Sequence, residues 1–189
     1  MSRADRDKWD ARYAEADRTG YADPSGFLRR METLLPRAGC ALDVAGGSGR
    51  NAIWLAARGL DVTIADVSRV GLDVAARRAS GAGVVLRTIC VDLDEAPLPP
   101  GPWDLIVDVL YLSRPLFPAI AAALRPGGVF VFLQPTVTNL ERHAKPPRSF
   151  LLEIGELERL VPPELEPLVL EEGWSDDGHH EARLVARRR

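Results

Sequence analysis

Leu42-Asp43-Val44-Ala45-Gly46-Gly47-Ser48-Gly49-Arg50-Asn51-Ala52 runs from an apolar, strand-like segment through a glycine-dense turn into a helix-like one. Glycines in such a turn allow positive φ and let a ligand approach the backbone closely. Taken alone, Gly47-x-Gly49-x-x-Ala52 satisfies the loose dinucleotide fingerprint, so nicotinamide or flavin binding is one reading of the loop. Asp66 ends the next apolar run, 17 residues after Gly49. A carboxylate at that place accepts hydrogen bonds from both hydroxyls of a ribose, so loop and carboxylate together point to an adenosine-containing ligand. Asp43, just ahead of the glycines, would repel a pyrophosphate and favour a cation such as an α-ammonium group.

Outward from this stretch, strand-length apolar runs alternate with helix-length segments, the pattern of βαβ units and a parallel sheet. The strands are expected at Cys40 to Val44, Asp61 to Ala65, Val84 to Ile89, Asp104 to Val109 and Val129 to Gln134. Arg50 to Arg58, Val70 to Arg78 and Leu116 to Leu124 carry apolar residues at helical spacing and suit helices packed on a sheet face. Asp5 to Arg18 reads as a helix with Trp9 and Tyr13 one turn apart, and Pro24 to Leu35 as a second short helix opening at proline. Beyond the core, Pro135 to Ser149 is a polar, proline-bearing loop. Leu157, Leu160 and Val161 follow helical spacing, and Pro167 to Trp174 and Glu181 to Arg188 read as strands. Ser175-Asp176-Asp177-Gly178 between them has turn chemistry, so the last two strands form an antiparallel hairpin. Ligands of an open sheet of this kind bind at the carboxyl ends of its strands.

The 189 residues, 46% hydrophobic and 27% charged, fit one globular domain. No apolar run is long enough for a membrane span, and Ser2 to Asp10 lacks the apolar centre of a secretory signal, so the expected location is cytoplasmic. A net charge of −3 argues against a nucleic-acid backbone as partner. Two cysteines, Cys40 and Cys90, fit neither a disulfide framework nor a metal cluster and read as buried free thiols.

The ordered series Asp43-x-Ala45-x-Gly47-x-Gly49, Asp66, Val91-Asp92-Leu93, Trp103-Asp104-Leu105-Ile106-Val107 and Leu124-Arg125-Pro126-Gly127-Gly128 resembles the motifs of class I S-adenosylmethionine (SAM)-dependent methyltransferases. Within that class, Trp9-Asp10-x-Arg12-Tyr13 and Gly49-Arg50-Asn51-Ala52 make it most similar to the tellurite-resistance and thiopurine methyltransferase-like group. The resemblance implies a doubly wound, Rossmann-like α/β fold of seven strands, mostly parallel with a C-terminal antiparallel hairpin, and helices on both faces. It implies residues 1–36 as a lid, 40–134 as the cofactor core and 135–189 as the substrate side. SAM is then the cofactor, held through Asp43, Ala45, Gly46, Gly47 and Gly49. Asp66 would bind the ribose and Asp92 the adenine amino group, with Val67 and Leu93 as walls of the ring. Trp9 and Tyr13 would close over it, and Val109 or Leu110 would lie beside the methyl donor. Ala45 departs from the family pattern, which has its first glycine there.

Methyl transfer from a sulfonium needs alignment and a dry pocket more than an acid or base. A thiol or chalcogen acceptor ionises readily, whereas a hydroxyl needs a general base. Asp108, a carboxylate interrupting an apolar strand, is one candidate, its alternative being a pair with Arg114. His143, in the loop after the fifth strand, is the other. His179 and His180 are expected away from the methyl donor, and no metal site is expected. The partner is a small-molecule acceptor, without nucleic acid or membrane. Two further readings stay open: an NAD(P)-dependent oxidoreductase on the same loop, and a SAM-binding protein without turnover.

Overall fold

The computed structural model describes residues 3–19 and 23–189. Seven strands form one sheet in the order β3-β2-β1-β4-β5-β7-β6. The strands are β1 (Cys40–Val44), β2 (Asp61–Asp66), β3 (Leu86–Cys90), β4 (Trp103–Val109), β5 (Leu124–Pro135), β6 (Leu165–Trp174) and β7 (His180–Arg188). β1 pairs in parallel with both β2 and β4, β2 with β3, and β4 with β5. β7 runs antiparallel to both β5 and β6, which is the terminal hairpin read from the sequence. Its connector is closed by Gly178 N–H donating to the Ser175 carbonyl at 2.9 Å, with Gly178 at φ +79°.

Burial explains the sequence of each strand. β1 and β4 lie at the centre and are buried on both faces, because helices cover the sheet on each side. β3 is an edge strand and is largely exposed, with Ile89 at 38%. For that reason Cys90 is exposed and not buried as expected, while Cys40 is half-buried; both thiols are free.

One face carries α2 (Gly26–Arg30), α3 (Arg50–Ala56) and α4 (Arg69–Gly81), which pack Phe27, Leu28, Leu55 and Leu72 against Val62, Ile64, Leu105 and Val107. The other carries α5 (Leu116–Ala123) and α6 (Glu156–Leu160), which cover Leu42, Ile106, Phe130 and Phe132. α1 (Arg3–Thr19) lies against α4. Residues 1–2 and 20–22 of the expected lid lie outside the described residues. Among the described residues no helix is long and apolar enough to cross a membrane.

Several boundaries differ from the sequence reading. The second helix begins at Gly26, not at Pro24, with Ser25 as its cap and a 3-10 turn at Glu32–Leu34. Ser25 N–H donates to Asn51 Oδ1 at 2.9 Å, which ties this helix to the first turn of α3. Val84 is outside β3 because its amide donates to the Ala79 carbonyl at 2.9 Å as part of the α4 terminus. β5 starts at Leu124, since Leu124 pairs with Trp103 across an irregularity between Trp103 and Leu105.

Part of the core is aromatic. Phe117 on α5 meets Phe130 at 5.8 Å and 86°, and Phe132 at 5.1 Å and 63°, the edge-on geometry that ring quadrupoles favour. All three rings are buried. Phe117→Ala is expected to cost about 3–5 kcal/mol of stability in urea unfolding; a loss below ~1 kcal/mol would contradict this account of the core.

Candidate cofactor and acceptor site

The glycine loop leaves β1 at Val44 and enters α3 at Arg50, so it sits at the carboxyl edge of the sheet. Ala45 adopts φ +49°. This left-handed conformation crowds a Cβ against the backbone and costs an L-residue roughly 1–2 kcal/mol, which is why glycine suits the position. Gly47 is at φ +55°, and a Cβ there would fall on the phenol ring of Tyr13.

Three carboxylates mark the edge. Asp66, at the end of β2, accepts from Gly47 N–H through Oδ2 and from Ser68 N–H through Oδ1, both at 2.8 Å. Burial pushes its pKa up, and the amide bonds pull it back. Asp43 is 1% exposed and its Oδ2 accepts from Ala52 N–H at 3.1 Å, so it caps the first turn of α3 in this structure. Burial raises its pKa to about 7, against the opposing effects of the Ala52 amide and Arg50. Asp92 follows β3, is half-buried and accepts from Asp94 N–H at 3.1 Å, with the neighbouring Val67 and Leu93 both buried.

α1 covers this half of the site. Trp9 and Tyr13 stack at 5.7 Å between centroids. Tyr13 rests on Gly71, whose Cβ would lie 2.7 Å from Cδ2 of the ring, and the Ser68 hydroxyl donates to Asp10. The Tyr13 pKa is pushed up by burial and by Asp66.

Beside it opens a cleft of about 850 Å³, lined by Arg50, Val109, Leu110, Leu133, His179 and Glu181 among others. Val109 and Leu110 both line this cleft. Leu110 is 51% exposed at φ +70°, a strained conformation at the very end of β4. The cleft does not reach Asp66, which lies beneath Tyr13.

Two expectations are corrected. Asp108 does not line the cleft and does not pair with Arg114. It shares a sheet face with Val44, is 2% exposed, and its Oδ1 has no hydrogen-bond partner among the described residues. Arg114 instead holds Glu156, at 2.5 and 3.0 Å. Burial, with Asp43 adding repulsion, drives the Asp108 pKa well above the carboxylate range. His143 is also absent from the cleft lining; its Nε2 meets the Gly178 carbonyl at 2.9 Å. His179, expected away from the methyl donor, is the histidine that lines the cleft. Sequence reasoning missed it because β7 folds back on β5, Glu181 opposite Pro135, and so carries the hairpin turn to the ends of β4 and β5. The signal available was the adjacency of two histidines at a strand start, where alternation sends neighbours to opposite faces.

A parallel sheet with an antiparallel terminal pair, a glycine loop after its central strand and an acidic residue after the next make up a Rossmann-like fold. Residues 41–128 match the family model described as a methyltransferase domain. Among solved structures it is similar to TehB from Haemophilus influenzae, with TM-score 0.70 and 19% identity over 86% of this chain and 61% of that one. It is also similar to a SAM-dependent methyltransferase from Mesorhizobium loti, with TM-score 0.69 and 22% identity over 87% and 98%. Geranyl diphosphate C-methyltransferase from Streptomyces coelicolor A3(2), solved with S-adenosyl-L-homocysteine, aligns with TM-score 0.66 and 16% identity over 86% and 80%. At these identities the likeness establishes the fold. No curated protein sequence matches the chain.

Two variants test this geometry. Ala45→Gly is expected to stabilise by about 0.5–1 kcal/mol, the relief of left-handed strain less the entropy that glycine loses; destabilisation in urea unfolding would refute the strain. Asp43 has its folded pKa raised from 3.8 to about 7, so its contribution to stability is full below about pH 4 and is lost as pH rises through 7. Asp43→Asn, which keeps an acceptor for Ala52 N–H, should therefore gain on the parent between pH 5 and pH 8, by on the order of 2 kcal/mol. Equal differences in urea midpoint at the two pH values would argue against a protonated Asp43.

Proposed function

We propose that this protein transfers a methyl group from SAM to a small-molecule acceptor bound in the cleft beside Val109 and Leu110. The observation that carries the reading is that the glycine loop and Asp66 are joined at the carboxyl edge of the sheet, with the cleft opening beside Arg50 at the end of the loop. When bound, SAM supplies a sulfonium whose methyl carbon is already activated for displacement.

The residues present suit that group. Each oxygen of Asp66 accepts one amide and keeps a further lone pair, enough for two ribose hydroxyls once Tyr13 gives way. Gly46, Gly47 and Gly49 present backbone to the adenosine edge and methionine part, with the Ala45 methyl narrowing the approach. Asp92 would receive the adenine amino group between Val67 and Leu93. Asp43 would act toward the α-ammonium group through the loop it caps. Trp9 and Tyr13 would close over the bound nucleoside, making residues 1–36 a lid on the cofactor core of 40–134, while 135–189 builds the acceptor side. The chain's own contribution to catalysis is alignment and exclusion of water between lid and hairpin. The resemblance to the tellurite-resistance and thiopurine group favours a thiol or chalcogen acceptor.

Calorimetry on the purified protein should show binding of SAM and S-adenosylhomocysteine and none of NAD; binding of NAD alone would overturn the reading. Asp66→Ala is expected to weaken SAM by about 1–3 kcal/mol, roughly 5- to 150-fold in Kd. An unchanged Kd would remove Asp66 from the ribose contact. Acceptors are screened from thiols and chalcogen oxyanions by the formation of S-adenosylhomocysteine.

A further inference from the structure

Asn139 is fully buried in the loop after β5 and organises three histidines. Its Oδ1 accepts from the backbone N–H of His180 at 3.2 Å, and its Nδ2 faces the Lys145 carbonyl at 3.5 Å. A backbone amide only donates and a carbonyl only accepts, so the side-chain amide has one orientation. The same Oδ1 lies 3.3 Å from Nδ1 of His179. An oxygen in that position requires the ring nitrogen to donate. The neutral His179 ring therefore carries its proton on Nδ1 and a lone pair on Nε2. His143 braces the ring, 4.4 Å away between centroids, and is itself anchored on the Gly178 carbonyl. His180 turns to the other side, its Nδ1 2.7 Å from Thr136 Oγ1.

We propose that His179, held in the Nδ1–H tautomer by Asn139, is the base that takes the proton of the methyl acceptor in this cleft. The inference rests on the methyl-transfer reading and adds to it the group that makes a protic acceptor nucleophilic. As the acceptor atom forms its bond to the methyl carbon, its proton passes to Nε2 of His179. The S–CH3 bond breaks with its electron pair retained on sulfur, which goes from sulfonium to neutral thioether. The imidazolium then returns its proton to water. The charged and titratable groups near the ring are His143, tilted against it, Asp176 and Asp177 in its own turn, Glu181 two residues on, Arg50 at the start of α3, and Arg29, Arg30 and Glu32 of the segment that begins with α2, which line the same cleft. A base in this mixed surround is of most use to a hydroxyl or ring N–H acceptor, and of some use to a thiol that is still protonated at neutral pH.

The test is a pH titration of 15N-histidine-labelled protein followed by long-range 15N–1H spectra, alone and saturated with SAM or with S-adenosylhomocysteine. The spectrum of His179→Gln assigns the signal by its loss. The Nδ1–H tautomer is expected for His179. The sulfonium of SAM carries a positive charge that S-adenosylhomocysteine lacks, so an Nε2 facing the methyl donor should titrate lower with SAM, by about half a pH unit or more. An Nε2–H tautomer, or identical midpoints while both nucleosides bind by calorimetry, would overturn the role of His179 and leave methyl transfer standing. If neither nucleoside binds, the methyl-transfer reading falls and the base falls with it.

Discussion

The carboxylate of Asp66 joins two turns of the chain. One oxygen holds the amide of Gly47 in the β1–α3 loop, and the other holds the amide of Ser68 at the start of α4. Because β1 and β2 are parallel and in register from Cys40 opposite Asp61 to Val44 opposite Ala65, both turns emerge at the same edge of the sheet. The loop that leads into α3 and the turn that opens α4 are thereby tied to one side chain. Tyr13 rests on Gly47, the residue whose amide Asp66 holds.

The same edge concentrates acid in a dry environment. Asp43 and Asp108 lie on neighbouring strands, face opposite sides of the sheet and are both almost wholly buried. Burial outweighs the amide bonds each receives, so both carboxyls favour the neutral form. Asp108 retains an orphaned oxygen among the described residues. Structures keep such costs where function needs them, and here they gather beneath the strained ends of β1 and β4, at Ala45 and Leu110. The cost sits next to the cleft and not in the remote core of Phe117, Phe130 and Phe132.

The hairpin completes the site from the opposite end of the chain. β7 inserts between β5 and β6, and its pairing with β5 carries Glu181 opposite Pro135 and the preceding turn over the ends of β4 and β5. The polar loop after β5 then packs its Asn139 against that turn, so a buried amide, His143 tilted against its neighbour and a cleft-lining His179 form one unit. A wall assembled from segments forty residues apart is sensitive to the register of β5 with β7. A slip of one residue would turn His179 to the opposite face.

Much of this molecule was legible in the residues. The central strands announced themselves as apolar runs bounded by turn residues, because a parallel strand buried on both faces leaves no room for polar alternation. The glycine loop and Asp66 were readable because their chemistry is local: a turn needing positive φ, and an acid at a strand end. The turn at Ser175-Asp176-Asp177-Gly178 was readable for the same reason. What the residues alone did not disclose depends on contacts between distant segments. Asp43 reads from the sequence as a group that favours a cation, and only the fold shows that it also accepts from Ala52 N–H at the first turn of α3. Arg114 could pair with Asp108, but α6 brought Glu156 to it instead. His143 and His179 exchanged their expected places because long-range pairing, not local sequence, sets which histidine a hairpin delivers to the cleft. Local conformation is determined by each residue's own sterics and hydrogen-bonding needs, whereas the company a side chain keeps is determined by the register of strands far away in the chain.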